Sequence, residues 1–227
     1  MIKQPVKFGD EHNKTINLFS ASNKEEKKSF WQRDEVEDIR KFAREHYLLQ
    51  QSYECCFCGR VNPTDRANEW NVEHIVPRAT HPQFTFEPKN LAVVCAACNG
   101  FKSDQNVLHN KSVKRYPNKK ESFAIVHPHY DEYNDNIWRV GKFIYIPIST
   151  KGVETIHLCK LTRFGLDLLG VDALEQVEEE IEEQMKSYLE TSDKKERELP
   201  LLKIQALTDI KFKITRRLRR SGREKVR

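Results

Sequence analysis

The sequence lacks any long apolar run, and no stretch approaches the roughly 18 uninterrupted apolar residues of a membrane-spanning helix. We therefore expect no membrane span. The first residues, MIKQPVKFGDEHNK, also lack the apolar core of a secretory signal, so we expect a cytoplasmic protein with reduced cysteines. Internal repeats are absent, and no recognition helix or aromatic stacking platform stands out that would indicate reading of a base sequence.

Apolar residues are nevertheless numerous enough to form a core. Hydrophobic residues make up 38% of the 227-residue chain and aromatic residues 10%, against 32% charged residues and a mean hydropathy of -0.74. This composition is typical of a soluble, folded protein. At this length we expect one compact module with additions, and not several large domains.

Positive charge is concentrated at one end of the chain. The net charge is +5, but residues 203–227 carry ten Lys and Arg residues against Asp209 and Glu224, which leaves the rest of the chain at −3. Such an arm is typical of contact with a polyanion. Residues 172–190, however, carry eight acidic residues against Lys186, so the basic arm could equally pack on an acidic helix. Both interpretations stay open.

Apolar spacing in the first half of the chain predicts helices and strands in mixed order, as in an α+β protein. One amphipathic helix is expected over residues 31–51, whereas residues 1–29 look weakly structured. Strands are expected at residues 70–76 and 91–94, separated by a long loop, and a helix begins at about Ala96.

The second half of the chain predicts a β-hairpin followed by helices. Residues 137–140 and 143–148 flank a two-residue Gly-Lys turn, and residues 153–158 could add a third strand. A Glu-rich helix ends before a polar break at residues 192–195, and a last helix begins near Pro200. The predicted segments are an N-terminal segment with its helix, a cysteine-rich core, a hairpin extension and a helical C-terminal region: 1–52, 53–110, 111–170 and 171–227.

Four of the six cysteines form two Cys-x-x-Cys pairs: Cys55, Cys58, Cys95 and Cys98. A two-residue spacer lets one tight turn present two sulfurs to one ion, and Zn²⁺ takes four such ligands at about 2.3 Å. A redox motif needs one pair, and disulfides are disfavoured in the expected compartment. Four thiolates leave no open position, so we predict a zinc ion that stabilises the fold without catalysing a reaction. The other two cysteines are expected to be small buried hydrophobes: Cys56 and Cys159.

Four polar residues lie between the cysteine pairs or directly after them. Glu73 and His74 are adjacent in a predicted strand, Asn90 precedes the next strand, and Asn99 follows the second pair. A Glu-His pair on a strand is, on general grounds, more often structural than catalytic. Adjacent side chains on a regular strand point to opposite faces, so a shared site requires the strand to end or bulge at this pair.

With these residues in this order, residues 53–105 resemble the HNH endonucleases. The ββα-metal core of that family has Asp or Glu followed by His on a first strand, Asn in the loop, and His or Asn on the next helix. The resemblance implies that Glu73 and Asn99 hold a divalent cation, that His74 deprotonates water, and that Asn90 steadies the loop that carries the histidine. Asn99 stands where the family's name has His, and its hard oxygen ligand suits Mg²⁺ or Mn²⁺.

The chemistry that the resemblance implies is metal-dependent hydrolysis of phosphodiester bonds to 5′-phosphate products. A cation stabilises the leaving 3′ oxygen, while a neutral imidazole takes a proton from water at cellular pH. DNA is the expected substrate and RNA the alternative, because such a site contacts a phosphate and nothing in it reports the sugar. Lys102, three residues after Asn99, could contact a phosphate or be a solvated surface lysine.

Other polar clusters carry weaker signals. The HPHYD segment at residues 127–131 is expected to be structural, and His81 to lie at the surface. A loose resemblance of the HPHYD region to bacterial HNH proteins of mobile-element and phage-defence operons implies a defence role and a regulatory partner such as an ATPase. Two other interpretations stay open: a non-catalytic zinc module that binds nucleic acid or protein, and an adaptor whose C-terminal helices bind a partner.

Overall fold

The computed structural model describes residues 2–64, 66, 69–140, 144–166, 171–193 and 196–224. Their contacts group the chain into two compact units. Unit 1 comprises Met1–Asn136 and Ile148–Lys160, and unit 2 comprises Ile137–Pro147 and Leu161–Arg227. The hairpin thus belongs with the C-terminal helices, so the contacts do not follow the four consecutive segments of the sequence prediction. Mixed α+β structure is present, as predicted.

Unit 1 begins with two helices where the sequence predicted weak structure: α1 (Asp10–Ala21) and α2 (Lys24–Phe30). That prediction was wrong. A capping box starts α2, because the Asn23 side chain accepts from the Glu26 N–H at 3.0 Å and the Glu26 carboxylate accepts from the Asn23 N–H at 3.0 Å. Phe19 and Phe30 are buried and pack edge to face with ring centroids 5.4 Å apart. These two rings hold α1 and α2 together.

The helix predicted for residues 31–51 begins later than expected. A 3-10 turn (Asp34–Val36) leads into α3 (Glu37–Gln50). Its buried residues recur at helical spacing: Ile39, Ala43, Tyr47 and Leu48. The Tyr47 hydroxyl donates to the Pro88 carbonyl at 2.6 Å, and so α3 is tied to the loop that precedes the second strand.

The sheet of unit 1 has two antiparallel strands, β1 (Trp70–His74) and β2 (Leu91–Cys95), and α4 (Ala96–Lys102) follows β2 directly. All three elements were predicted. The Gln51 side chain bonds both backbone groups of Val93, since its Nε2 donates to the carbonyl at 2.9 Å and its Oε1 accepts from the N–H at 2.8 Å. A two-stranded sheet has no third strand to bond these backbone groups, so the Gln51 side chain bonds them instead.

Residues 150–158 form a helix, α5 (Thr150–Leu158), so the predicted third strand is wrong. Ser149 caps this helix, because its hydroxyl accepts from the Gly152 N–H at 3.0 Å. The buried positions are 152, 155, 156 and 158, which is helical spacing and not the alternation of a strand.

The described residues of unit 2 form a hairpin and three helices: β3 (Ile137–Val140), β4 (Ile144–Pro147), α6 (Arg163–Leu166), α7 (Val171–Glu190) and α8 (Glu198–Glu224). The antiparallel pairing of β3 with β4 confirms the hairpin, whose predicted Gly-Lys turn lies outside the described residues. Apolar side chains from both strands and both long helices form its core: Val140, Ile146, Val177, Leu207 and Ile214.

The basic arm begins within α8, and the described part of it packs on its own unit. Lys211 Nζ lies 2.8 Å from Glu178 Oε1 of α7, and the Lys203 ammonium lies 4.2 Å from the centroid of the Trp138 ring. Packing on the acidic helix is therefore observed, and contact with a polyanion stays a prediction. Within the described residues, no helix combines the length and apolarity needed to cross a membrane.

The core of unit 2 gives a test of this packing. Leu207 has no exposed surface, whereas Leu202, on the same helix, is 61% exposed. We predict that Leu207→Ala lowers the free energy of unfolding by about 2–5 kcal/mol, because it leaves a cavity. Leu202→Ala should change it by less than about 0.5 kcal/mol. Urea denaturation of both variants measures the difference, and equal unfolding midpoints would contradict this packing.

Candidate active site and cysteine cluster

The four cysteines of the two pairs converge in unit 1, and we call them the cysteine cluster: Cys55, Cys58, Cys95 and Cys98. Their sulfur atoms all lie within 4.8 Å of one another, and Cys58 Sγ is 3.9 Å from Cys95 Sγ. Four sulfurs placed about 2.3 Å from one zinc ion would be about 3.8 Å apart. None of the six cysteines, all of which are described, forms a disulfide. The cluster is therefore compatible with a bound zinc ion.

Hydrogen bonds within the cysteine cluster favour a thiolate at one position. Bonds from the other three thiols lower the pKa of Cys95, whereas burial raises the pKa of Cys55 well above its ordinary value. The Cys95 N–H also donates to Cys55 Sγ at 3.4 Å. A divalent cation in place of the shared protons would stabilise all four groups as thiolates. The donor set thus fits a metal that prefers sulfur.

The cysteine cluster joins parts of unit 1 that are about 40 residues apart in sequence. Cys55 and Cys58 lie in a turn after α3, while Cys95 ends β2 and Cys98 lies in the first turn of α4. The cluster therefore fixes the start of α4. Asn99 directly follows Cys98 in that helix, so the cysteine cluster fixes the position of Asn99 as well.

A cleft of about 750 Å³ opens beside these elements, and three predicted site residues line it: Glu73, His74 and Asn99. Glu73 and His74 are the last two residues of β1, where they pair in register with Ala92 and Leu91. The sequence required the strand to end or bulge at this pair, although its predicted bounds, residues 70–76, run two residues further. Eleven other lining residues were not predicted as site residues, among them Lys28, Trp31, Gln32 and Arg78.

His74 is buried, and its contacts fix both the ring and the tautomer. Its Nε2 lies 3.0 Å from the Thr85 carbonyl oxygen, which can only accept, so Nε2 carries the proton and Nδ1 keeps its lone pair. Trp31 packs edge to face against the ring, with centroids 4.6 Å apart. Burial, and then the charge of Arg78, hold the pKa of His74 well below its ordinary value. The imidazole is therefore neutral at neutral pH.

Glu73 forms a buried ion pair with Lys102. Lys102 has no exposed surface, and its Nζ also donates to the His74 carbonyl at 2.9 Å. Burial raises the pKa of Glu73, and the charge of Lys102 opposes that shift. Both sequence interpretations of Lys102 are corrected, because α4 points this side chain inward to β1 and leaves it no surface for solvent or a phosphate.

Asn90 is completely buried and braces the loop between the strands. Its Oδ1 accepts from the Val76 N–H at 2.7 Å, and its Nδ2 donates to the carbonyls of Val76 and Phe84 at 3.1 and 3.0 Å. Phe84 precedes Thr85, the partner of His74. Asn90 therefore connects the chain after β1 to the segment that holds the histidine ring.

Arg78 lines the cleft, where α2 and the residues that follow it hold its side chain. Its Nη1 donates to the Lys28 carbonyl at 3.0 Å and to Gln32 Oε1 at 3.3 Å. Burial lowers the pKa of Arg78, while the carboxylates of Asp104 and Glu73 oppose the shift, and arginine stays charged at any cellular pH. A guanidinium fixed in this way suits a phosphate. In the sequence, this arginine could have been found only as a basic residue four positions after His74.

The HPHYD segment forms a buried network outside the cleft. His129 Nε2 donates to the Leu91 carbonyl at 2.8 Å, and the His127 N–H donates to Asp131 Oδ2 at 2.8 Å. Asp131 also pairs with Lys151 at 2.6 Å. The segment thus connects β2 with α5, and these contacts support its structural interpretation.

His81 is buried, so its predicted surface position is wrong. Its ring stacks on Phe84 with centroids 5.3 Å apart, and Nε2 donates to the Lys111 carbonyl at 3.1 Å. The proline that follows it starts a 3-10 turn (Pro82–Phe84), which turns the histidine inward.

Comparison with known proteins adds one partial relative. A stretch of 67 residues is 34% identical to Protein ea31 of Escherichia phage lambda. The match covers 28% of this chain and 21% of that protein, so the chain spans about a fifth of the length of the curated relative it matches. No family model and no solved structure matches the chain.

The cysteine cluster predicts a defined metal content. Cys98→Ser should reduce bound zinc from about one ion per chain to near none, because the fourth sulfur is lost and the folding of unit 1 depends on the ion. Atomic absorption on purified protein measures the content. Cys56→Ser is the matched control, since Cys56 is half-buried, less buried than predicted, and lies outside the cluster. Equal zinc content in both variants would contradict this assignment.

One of the two buried histidines of the HPHYD segment, His129, predicts sensitivity to acid. Burial lowers the pKa of His129 to about 4, against about 6.5 in an unfolded chain. Between these two pH values the unfolded chain binds more protons than the folded protein does. The folded state therefore loses stability as the pH falls below about 6.5. His129→Gln should make the fall in unfolding free energy between pH 7 and pH 5 smaller by about 2 kcal/mol.

Urea denaturation at both pH values gives this difference. His109→Gln provides the control, because it makes the same substitution at an exposed histidine. An unchanged pH dependence in His129→Gln would show that this histidine does not remain neutral in the folded protein.

Proposed function

We propose that this chain is a metal-dependent endonuclease of the HNH type that hydrolyses phosphodiester bonds in DNA. The observation that carries the proposal is that Glu73, His74 and Asn99 line one cleft, directly beside the cysteine cluster. Glu73 and His74 are adjacent residues of β1, and both line this cleft together with Asn99 of α4.

His74 is the general base of the proposed reaction. Its Nε2 proton is held by the Thr85 carbonyl, so Nδ1 is the atom that accepts a proton from the attacking water. The ring is held by the Trp31 edge and by the loop that Asn90 braces. A neutral, immobilised imidazole needs no reorganisation before the proton moves.

Glu73 and Asn99 are the residues that would hold the catalytic cation. Both supply hard oxygen ligands from the same cleft, which suits Mg²⁺ or Mn²⁺ better than a softer metal. When bound, such a cation would neutralise the scissile phosphate and stabilise the leaving 3′ oxygen. The cysteine cluster is separate, and we assign it a structural Zn²⁺.

A fixed guanidinium at the cleft favours a substrate that carries phosphate. Arg78 lines the cleft, and hydrogen bonds to the Lys28 carbonyl and Gln32 Oε1 hold its guanidinium in place. Phosphate contacts of this kind position a nucleic acid without reading its bases. This agrees with a nuclease whose cleft recognises the backbone. RNA remains the alternative substrate.

Cleavage of supercoiled plasmid tests the proposal. Zinc-loaded protein with added Mn²⁺ should nick or linearise the plasmid, and His74→Ala should slow cleavage by about 10²–10⁴-fold, because the general base is removed. His109→Ala is the matched control, since this histidine is exposed and does not line the cleft. It should cleave like the wild type.

Zinc content and the circular dichroism spectrum show whether each variant is folded. If folded, zinc-loaded wild type with Mn²⁺ or Mg²⁺ cuts neither plasmid nor single-stranded nucleic acid, the nuclease proposal fails. The non-catalytic zinc module would then account better for the cysteine cluster.

A further inference from the structure

Unit 2 exposes more large apolar side chains than its size explains. Six of the eleven exposed large apolar side chains in the described part of the chain belong to it, although it comprises about a third of the residues. Leu189 of α7 is 72% exposed, and Phe212 of α8 is 67% exposed. Exposed apolar side chains that cluster, unlike single ones, mark an interaction surface.

One row of side chains on α7 is acidic at first and apolar at the end of the helix. Residues three and four positions apart lie on the same side of a helix. This spacing defines the row: Glu178, Glu182, Met185 and Leu189. The last three of these side chains are exposed.

A second row, on α8, lies on the same side of the helix pair. By the same spacing it contains four residues: Leu201, Thr208, Lys211 and Phe212. The ion pair of Lys211 Nζ with Glu178 Oε1, at 2.8 Å, joins the two rows. We call the two rows together the outer face.

The strands of unit 2 pack elsewhere on α8. The Lys203 ammonium lies 4.2 Å from the centroid of the Trp138 ring of β3. Each residue turns an α-helix by about 100°, so Lys203 is about 200° around the axis from Leu201. The described strands therefore leave the outer face uncovered.

The two ends of the outer face differ in character. The helices run antiparallel, because the Arg197 guanidinium lies 5.3 Å from the Tyr188 ring centroid, while the Lys211 pair joins a later residue of α8 to an earlier one of α7. The apolar ends of both rows are thus neighbours. Towards the other end, the acidic part of α7 lies beside Lys211 and the exposed Arg216, which is one turn after Phe212.

We propose that a second copy of this chain covers the outer face, so that unit 2 is a dimerisation element. A twofold axis parallel to the helices brings apolar end against apolar end and sets α7 of each copy against α8 of the other. The acidic row then faces basic residues in both contacts. Every helix of the resulting four-helix bundle has antiparallel neighbours.

The order of the charges favours a second copy over an unrelated protein. A face with acid on one helix and base on the other is complementary to itself under this twofold rotation. The inference does not depend on the proposed nuclease activity.

Sedimentation equilibrium of the full-length, zinc-loaded protein at micromolar concentration tests the proposal. We expect a mass close to twice the 26.8 kDa of one chain. Leu189→Glu should weaken the dimer by at least about tenfold, because it places a charge in the apolar contact. Leu49→Glu is the matched control, since Leu49 is 68% exposed and also precedes the last residue of its helix, but lies in unit 1. It should dimerise like the wild type.

A pair of charge reversals tests the arrangement of the helices. Glu182→Lys and Arg216→Glu should each weaken the dimer by at least about tenfold, because like charges then meet in both contacts. An equimolar mixture of the two variants should form a heterodimer, since each contact regains opposite charges. Native mass spectrometry distinguishes the heterodimer by its mass, and its recovery shows that both variants are folded.

Three results would overturn the proposal. A wild type that stays monomeric throughout the micromolar range would leave the outer face to a different protein. A dimer that Leu189→Glu does not weaken would place the interface elsewhere on the chain. Failure of the mixed charge variants to form a heterodimer would exclude the contact of α7 with α8 of the second copy.

Discussion

The cysteine cluster is the constraint on which the rest of the candidate site depends. It joins a turn after α3 to the junction of β2 and α4, although about 40 residues separate the two pairs. Because α4 starts at this junction, the cluster determines where Asn99 and Lys102 lie. Lys102 then bonds Glu73 and the His74 backbone, so the positions of the two proposed catalytic residues follow from the sulfur geometry. A small two-stranded sheet could not hold these groups without such a clamp.

The second constraint comes from the N-terminal helices. The ring of Trp31, directly after α2, packs against His74. The Lys28 carbonyl of α2 and the side chain of Gln32, which follows the helix, hold the Arg78 guanidinium. The helices therefore supply one wall of the cleft and also limit the freedom of the imidazole. This arrangement buries His74 and keeps its imidazole neutral, and it places the Arg78 guanidinium at the same wall.

Local sequence patterns predicted the elements that carry the site, but they did not predict its surroundings. The strands, α4 and the cysteine pairs follow from alternation, spacing and turn chemistry. The contact of Trp31 with His74 joins residues 43 positions apart, and no local pattern encodes it. The burial of Lys102 depends on how α4 packs against β1, whereas lysine composition alone predicts a surface residue.

Some missed features did have local signals. Asn23 followed by Glu26 is a capping-box pattern that marks the start of α2, although the polar composition of this region suggested weak structure. Ser149 similarly marks the start of α5, where a segment of only six residues, 153–158, suggested a third strand. Short segments are ambiguous between helix and strand because few residues define the period. Capping residues decide such cases better than hydrophobic spacing does.

The central claim is that Glu73, His74 and Asn99 form one cation-dependent site for nucleic acid. Anomalous diffraction from crystals of the His74→Ala protein, grown with Mn²⁺ and a short DNA duplex, tests this claim most directly. We predict a manganese peak in contact with Glu73, Asn99 and a phosphate oxygen, and a separate zinc peak among the four sulfurs. DNA bound in the cleft without manganese at Glu73, or manganese held only elsewhere on the protein, would contradict the account.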